Sequence, residues 1–301
     1  MKRFVALIAT VVMVSVSLFI RSRIDDNGSG SSSPKTTGGR PVIACVTELR
    51  DVCEAAYASS ADVRIEDARD TAVKLTTGGG GLDAWVTLSG WPELITVKNG
   101  GSELHVTPVA STAVVIAAVK ERTAKLGCAT SAWSCLLQNV DQPWSALGGD
   151  PSWGSLKVGV PLRSSASGLL IEASAVAGWA GTADIGTNDA KYDDGVSRFR
   201  SLVQVNDAFG TFAVQFPAAF SAVGALQADV TARAGAKAGL ITTIPLVPPA
   251  TATAVVATIA GGRNVDANKL AKPLRDAGWT TPPAASTGLP DAGVLLALLG
   301  L

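Results

Sequence analysis

The chain has 301 residues, enough for two lobes that each bury a core. Lys+Arg and Asp+Glu each number 25, so the formal net charge is zero, and no basic run follows the extreme N-terminus. That balance excludes nucleic acid as an expected partner. With only two Tyr, an aromatic platform for sugars would have to rest on the seven Trp.

The N-terminus opens with Met1-Lys2-Arg3, continues through an uncharged apolar stretch over residues 4–20, and closes with Arg21-Ser22-Arg23. This stretch sits at the lower limit for a membrane span and is longer than a usual signal-peptide core. An uncleaved single-span anchor over residues 1–23 is expected ahead of a cleaved signal, for which Ser15-Val16-Ser17 is a weak site. Basic residues flank both ends, so charge alone does not orient it. With no Cys at its end, lipid attachment is not expected. Residues 24–40 are Gly/Ser-rich and read as a flexible linker.

Residues 42–46 then form an apolar strand. Thr47 is placed to cap a helix through Leu49, Val52, Cys53 and Ala56. Residues 61–65 read as a second strand, 70–75 as a helix ending in the glycines at 78–81, and 82–88 as a third strand before the turn Ser89-Gly90-Trp91-Pro92. This β-α-β-α-β order predicts a parallel sheet with helices on its faces. The apolar run 109–119 is long enough to cross from one lobe to another. Loop and short helix are expected over 121–153.

Residues 158–160 form a short strand running into Arg163-Ser164-Ser165-Ala166-Ser167-Gly168, which opens an apolar helix over 169–179. A helix N-terminus presents free N–H groups and a positive dipole end, and no acidic residue occupies this first turn to take them up. The Ser cluster is either an ordinary cap or a site for a ligand oxygen, with Arg163 beside it to pair with an anion. Beyond it, 184–194 reads as a polar loop, 197–205 and 211–216 as helices, and 221–230 as a strand with its turn. Residues 240–246 read as a strand, 255–259 as helix or strand, and 267–277 as a helix stopped by Gly278. A Pro-rich tail ends in a small apolar helix over 294–301.

The four Cys fall in two local pairs, Cys45/Cys53 and Cys128/Cys135, which predicts two disulfides in an oxidising compartment. With the anchor, they place the globular part outside the cytoplasmic membrane, or in the medium if the signal is cleaved. His105 is the single His, so neither a metal site nor a His-based triad is expected in one chain. Asp184, Asp189, Asp193 and Asp194 do not have calcium-loop spacing. The glycines at 78–81 lack the Lys-Ser/Thr of a phosphate loop, and no Gly-x-Ser-x-Gly elbow is present. No cofactor, metal or catalytic residue is expected, and the chain does not read as an enzyme.

Two α/β halves joined by two apolar crossings, together with Leu82-Asp83-Ala84-Trp85-Val86-Thr87 and Lys157-Val158-Gly159-Val160-Pro161 followed by the Ser cluster, resemble a type 2 periplasmic (extracellular solute-) binding protein. The Ala/Val/Gly-rich style is similar to actinobacterial, membrane-anchored members. The resemblance covers about residues 41–280. It implies an α/β two-lobed Venus-flytrap fold that closes over a small ligand, an anion among the candidates, for transport or sensing. Lobe 1 is expected over 41–110 plus 241–280, lobe 2 over 111–240, and a tail over 281–301. Matching the family's strand ends, the ligand-binding residues are expected to be Thr47, Ser89, Arg163, Ser164, Ser165, Ser167 and Gly168. Glu48 departs from the pattern and disfavours an oxyanion at the first of these ends. The absence of a lipid-attachment motif puts the usual pairing with a membrane transporter in doubt. It leaves a second expectation, a ligand-free interaction module docking another cell-surface protein.

Overall fold

The computed structural model describes residues 39–78, 80–98, 104–128, 132–284 and 287–300; the expected anchor and linker lie outside them, apart from Gly39 and Arg40. Residues Arg40–Leu301 form one compact unit. No helix among the described residues is long and apolar enough to cross a membrane.

Among the described residues, one eight-stranded sheet runs in the order β2-β1-β3-β8-β4-β7-β5-β6. In one half, β1 (Val42–Val46), β2 (Asp62–Glu66) and β3 (Ala84–Leu88) are parallel. In the other half, β5 (Val158–Pro161), β6 (Val203–Val205) and β7 (Ala222–Leu226) are parallel. The central strands β1, β3, β5 and β7 are near-continuous buried apolar runs, as strands covered on both faces must be.

Two long antiparallel strands carry the sheet across the middle: β4 (Leu104–Val119) and β8 (Ile241–Ile259). Their pairing jumps from Val114↔Ala250 to Val115↔Pro245. The skipped segment holds Pro248 and Pro249, which have no N–H to give the ladder, so the sheet bends there. The segments read separately at 240–246 and 255–259 are thus one strand.

Helices α1 (Arg50–Tyr57), α2 (Ala68–Thr76) and α3 (Trp91–Lys98) belong to the first half. Thr47 does not cap α1, because the chain enters through a 3-10 turn, Thr47–Leu49. The turn expected at 89–92 is shorter than the sequence suggested: it occupies Ser89 and Gly90, and α3 starts at Trp91. Pro92 is tolerated in a first turn, and Glu93 accepts the Gly90 N–H at 2.7 Å. Gly90 has φ +92°, and a Cβ there would meet Leu295 at 3.1 Å and Leu170 at 3.4 Å.

Helices α4 (Lys120–Leu126) and α5 (Ala132–Asn139) follow β4, tied by the Cys128–Cys135 disulfide; Cys45–Cys53 ties β1 to α1. The Ser-rich turn leads to α6 (Ala166–Ala180), which is apolar around its whole circumference and correspondingly buried from Ala166 to Gly178. Helix α7 (Ala190–Arg200) starts where a loop was expected, because Asp189 caps it by accepting the Lys191 N–H at 2.8 Å. Residues 203–205, expected to be helical, are β6. A three-residue edge strand is too short to show a period of two. Helix α8 (Ala208–Val214) follows, then α9 (Gln227–Arg233) after β7, α10 (Ala271–Asp276) and α11 (Ala292–Leu299).

One contiguous apolar cluster spans both halves, from Ile43, Trp85 and Trp91 to Val158, Leu169 and Leu170. A second cluster under α8 gathers Phe209, Phe212, Phe220 and Val223. Helix α11 packs on both α3 and α6, burying Val294, Leu295, Leu298 and Leu299 to 2% exposure or less.

Candidate functional site

A cleft of about 680 Å³ opens at the carboxyl ends of the parallel strands, where ligands of open α/β sheets sit. The first half contributes the segment after β1 (Thr47–Val52) and Asp67 after β2. The second contributes Leu162, Ser165 and Ser167 after β5, Asn206–Phe209 after β6, and Leu226, Asp229 and Arg233 around β7 and α9. Ile171, Phe209 and Trp279 supply apolar wall.

The Ser-rich turn meets the opposite half directly. Glu48 Oε1 accepts the backbone N–H of Ser167 at 2.8 Å and its hydroxyl at 3.0 Å. Asp67 Oδ2 accepts the Ser164 hydroxyl at 3.2 Å, and the Arg69 N–H donates to the Ser164 carbonyl at 3.0 Å. Trp91 Nε1–H donates to the Ala166 carbonyl at 3.1 Å. Within the turn, Ser165 Oγ caps the helix by accepting the Gly168 N–H at 3.1 Å, and the Ser165 N–H donates to Leu162.

The expectation of free donors at this helix start therefore does not hold. No acid lies in the first turn itself, but a carboxylate from the other half reaches in and takes the position an oxyanion would need. Gly168 is required here for close approach: a Cβ would stand 1.9 Å from the Leu162 carbonyl oxygen.

Of the residues singled out from sequence, Thr47, Ser165 and Ser167 line the cleft. Ser164 and Gly168 sit in the adjoining turn without lining it. Ser89 is buried instead, exchanging hydrogen bonds with the backbone of Thr253 on β8. Arg163 is not part of the lining. Its charge acts with Arg200 on the buried Glu172, whose carboxyl is raised by burial more than these cations lower it.

Sequence reading missed Asp67, Asp207, Asp229, Arg233, Phe209 and Trp279. Asp67 and Asp207 follow strand ends, a signal that was legible for β2 and lost at β6, which was read as helix. Asp207 caps α8 through the Gly210 N–H at 2.8 Å and forms a two-pronged ion pair with Arg233. Burial pulls the Asp207 carboxyl up, but the bonds from Arg233 and Gly210 outweigh it and hold it below its ordinary value. Asp229, partly buried on the wall, is pushed up to about 6: desolvation dominates, and the charges of Glu48 and Asp207 add to it against Arg233.

No protein-family model and no curated protein matches the chain. Solved structures do. The chain is similar to iron-bound HitA from Pseudomonas aeruginosa, with TM-score 0.59 and 10% identity over 87% of this chain and 98% of that one. It is similar to a putative spermidine/putrescine ABC transporter protein from Listeria monocytogenes, with TM-score 0.56 and 11% identity over 87% and 86%. A third is the periplasmic binding protein AfuA from Actinobacillus pleuropneumoniae, with TM-score 0.52 and 16% identity over 79% of each chain. The fold is the mixed α/β fold of two-lobed periplasmic binding proteins.

Proposed function

We propose that this chain is an extracytoplasmic solute-binding protein that holds a small ligand between its two lobes for transport or sensing. The observation that carries this reading is the cleft itself. Its volume of about 680 Å³ suits a small organic solute, and it lies where both halves of the sheet present strand ends. The similar ABC transporter protein from Listeria monocytogenes and the periplasmic binding protein AfuA support the same direction. In this reading the lobes meet at the bend in β4 and β8, residues 1–23 anchor the protein or direct its secretion, and a membrane transporter is the natural partner. The anion expected from the Ser-rich turn is disfavoured, since Glu48 already accepts the Ser167 donors.

A second reading is a ligand-free interaction module on the same fold. It is favoured by the cross-cleft bonds Glu48–Ser167 and Asp67–Ser164, which join the halves without any ligand. Thermal-shift measurement of the full-length chain against cations, anions, amino acids and polyols separates the two. Binding predicts a rise in Tm with one chemical class, since a ligand at 100 times its Kd adds about 2.7 kcal/mol. No shift across the panel refutes binding and leaves the module.

A further inference from the structure

The charge lining the cleft is lopsided. Five carboxylates (Glu48, Asp51, Asp67, Asp207 and Asp229) face two guanidiniums, Arg50 and Arg233. Arg233 is committed to Asp207 by its two-pronged ion pair. Two carboxylate oxygens of the lining, Glu48 Oε2 and Asp67 Oδ1, are buried with no hydrogen-bond partner among the described residues. Asp229 stands partly exposed on the same wall, where desolvation and the charges of Glu48 and Asp207 push its carboxyl up to about 6 against Arg233. Buried polar atoms are almost always paired, so two orphaned carboxylate oxygens at one cleft, with the partly exposed Asp229 beside them, ask for a donor from outside the chain.

The arrangement also limits what that donor is. Among the described residues, no three His, Cys, Asp or Glu side chains stand close enough to share one metal ion. The same lining includes Ile171, Phe209 and Trp279, which offer apolar and aromatic contact to a hydrocarbon segment. A quaternary ammonium has no N–H to satisfy the orphaned oxygens, whereas a primary ammonium has three.

We infer that the cleft takes a small organic cation bearing primary ammonium groups, with Glu48, Asp67 and Asp229 accepting from them. This rests on the solute-binding reading of the same cleft. Glu48 then has two tasks: one oxygen closes the cleft against Ser167 and the other receives the ligand. The groups facing Asp229 are Glu48 from the turn after β1, Asp207 from the start of α8 and Arg233 on its own helix. Of these, Asp207 and Arg233 neutralise each other. A bound ammonium beside Asp229 favours its ionised form, so binding expels a proton near pH 6.

The test is isothermal titration of the full-length chain with butane-1,4-diamine, its bis-trimethylammonium analogue, inorganic phosphate and ribitol. The diamine is expected to bind and the quaternary analogue at least about ten-fold more weakly. Asp229→Asn and Glu48→Gln should each weaken the diamine by ten-fold or more, as expected for lost hydrogen bonds to a charged group. For the parent, affinity should fall about ten-fold from pH 7.5 to 5, and heats at pH 6 should depend on buffer ionisation. Circular dichroism melts of both variants confirm folding, and either folded variant suffices. Phosphate or ribitol binding without the diamine overturns the cation assignment and leaves a solute-binding protein. Diamine binding unchanged by both substitutions overturns its placement in this cleft. No binding by any probe overturns the cation assignment, and together with a flat thermal-shift panel it overturns the solute-binding reading as well.

Discussion

Asp229→Asn should stabilise the protein at neutral pH while impairing the cleft. Asp229 has an ordinary carboxyl value of 3.8 when unfolded and about 6 when folded. A raise of roughly two pH units corresponds to about 3 kcal/mol. Because the folded value is the higher one, the native state binds more protons between the two. The contribution of the neutral carboxyl is fully present below about pH 4 and is lost as pH rises through about 6. Above that, the folded protein carries a desolvated carboxylate facing Glu48 and Asp207, only partly offset by Arg233. The amide cannot ionise and escapes this cost. The stability difference between variant and parent should therefore climb from near zero at pH 4 to at most about 3 kcal/mol at pH 7.5. Urea unfolding at four pH values across that window, at constant ionic strength, measures it. A difference that stays flat with pH would refute the reasoning, since it would mean that Asp229 is as well solvated in the fold as in the unfolded chain.

Gly168→Ala should destabilise strongly, at or above the 1–3 kcal/mol typical of overpacking, because the added methyl falls on the Leu162 carbonyl; chemical denaturation reads it directly. Leu298→Ala, in a helix that grips both α3 and α6, should cost about 2–5 kcal/mol, seen as a lower urea midpoint. Removing either disulfide by paired Cys→Ala substitution should cost about 2–3 kcal/mol in thermal unfolding, since the loops span separations of only 8 and 7 residues.

The sequence by itself determined the elements whose pattern is local. Strand-helix-strand alternation from Val42 to Leu88 is legible because buried parallel strands are written as apolar runs and the helices between them as 3.6-residue spacing. The two Cys pairs and the apolar α6 behind its Ser cap were legible for the same reason: each is specified by neighbours within a dozen residues. What the sequence could not determine was which residues meet across the cleft. The Ser167 donors look free along the chain, and only the tertiary structure brings Glu48 to them from 119 residues away. Asp67, Asp207 and Asp229 lie far apart in sequence, on three different connections, and none has spacing that marks a site. Parallel strands place successive connections at the same edge of a sheet, so an acidic cleft assembled from such ends exists in the fold and nowhere in the linear pattern.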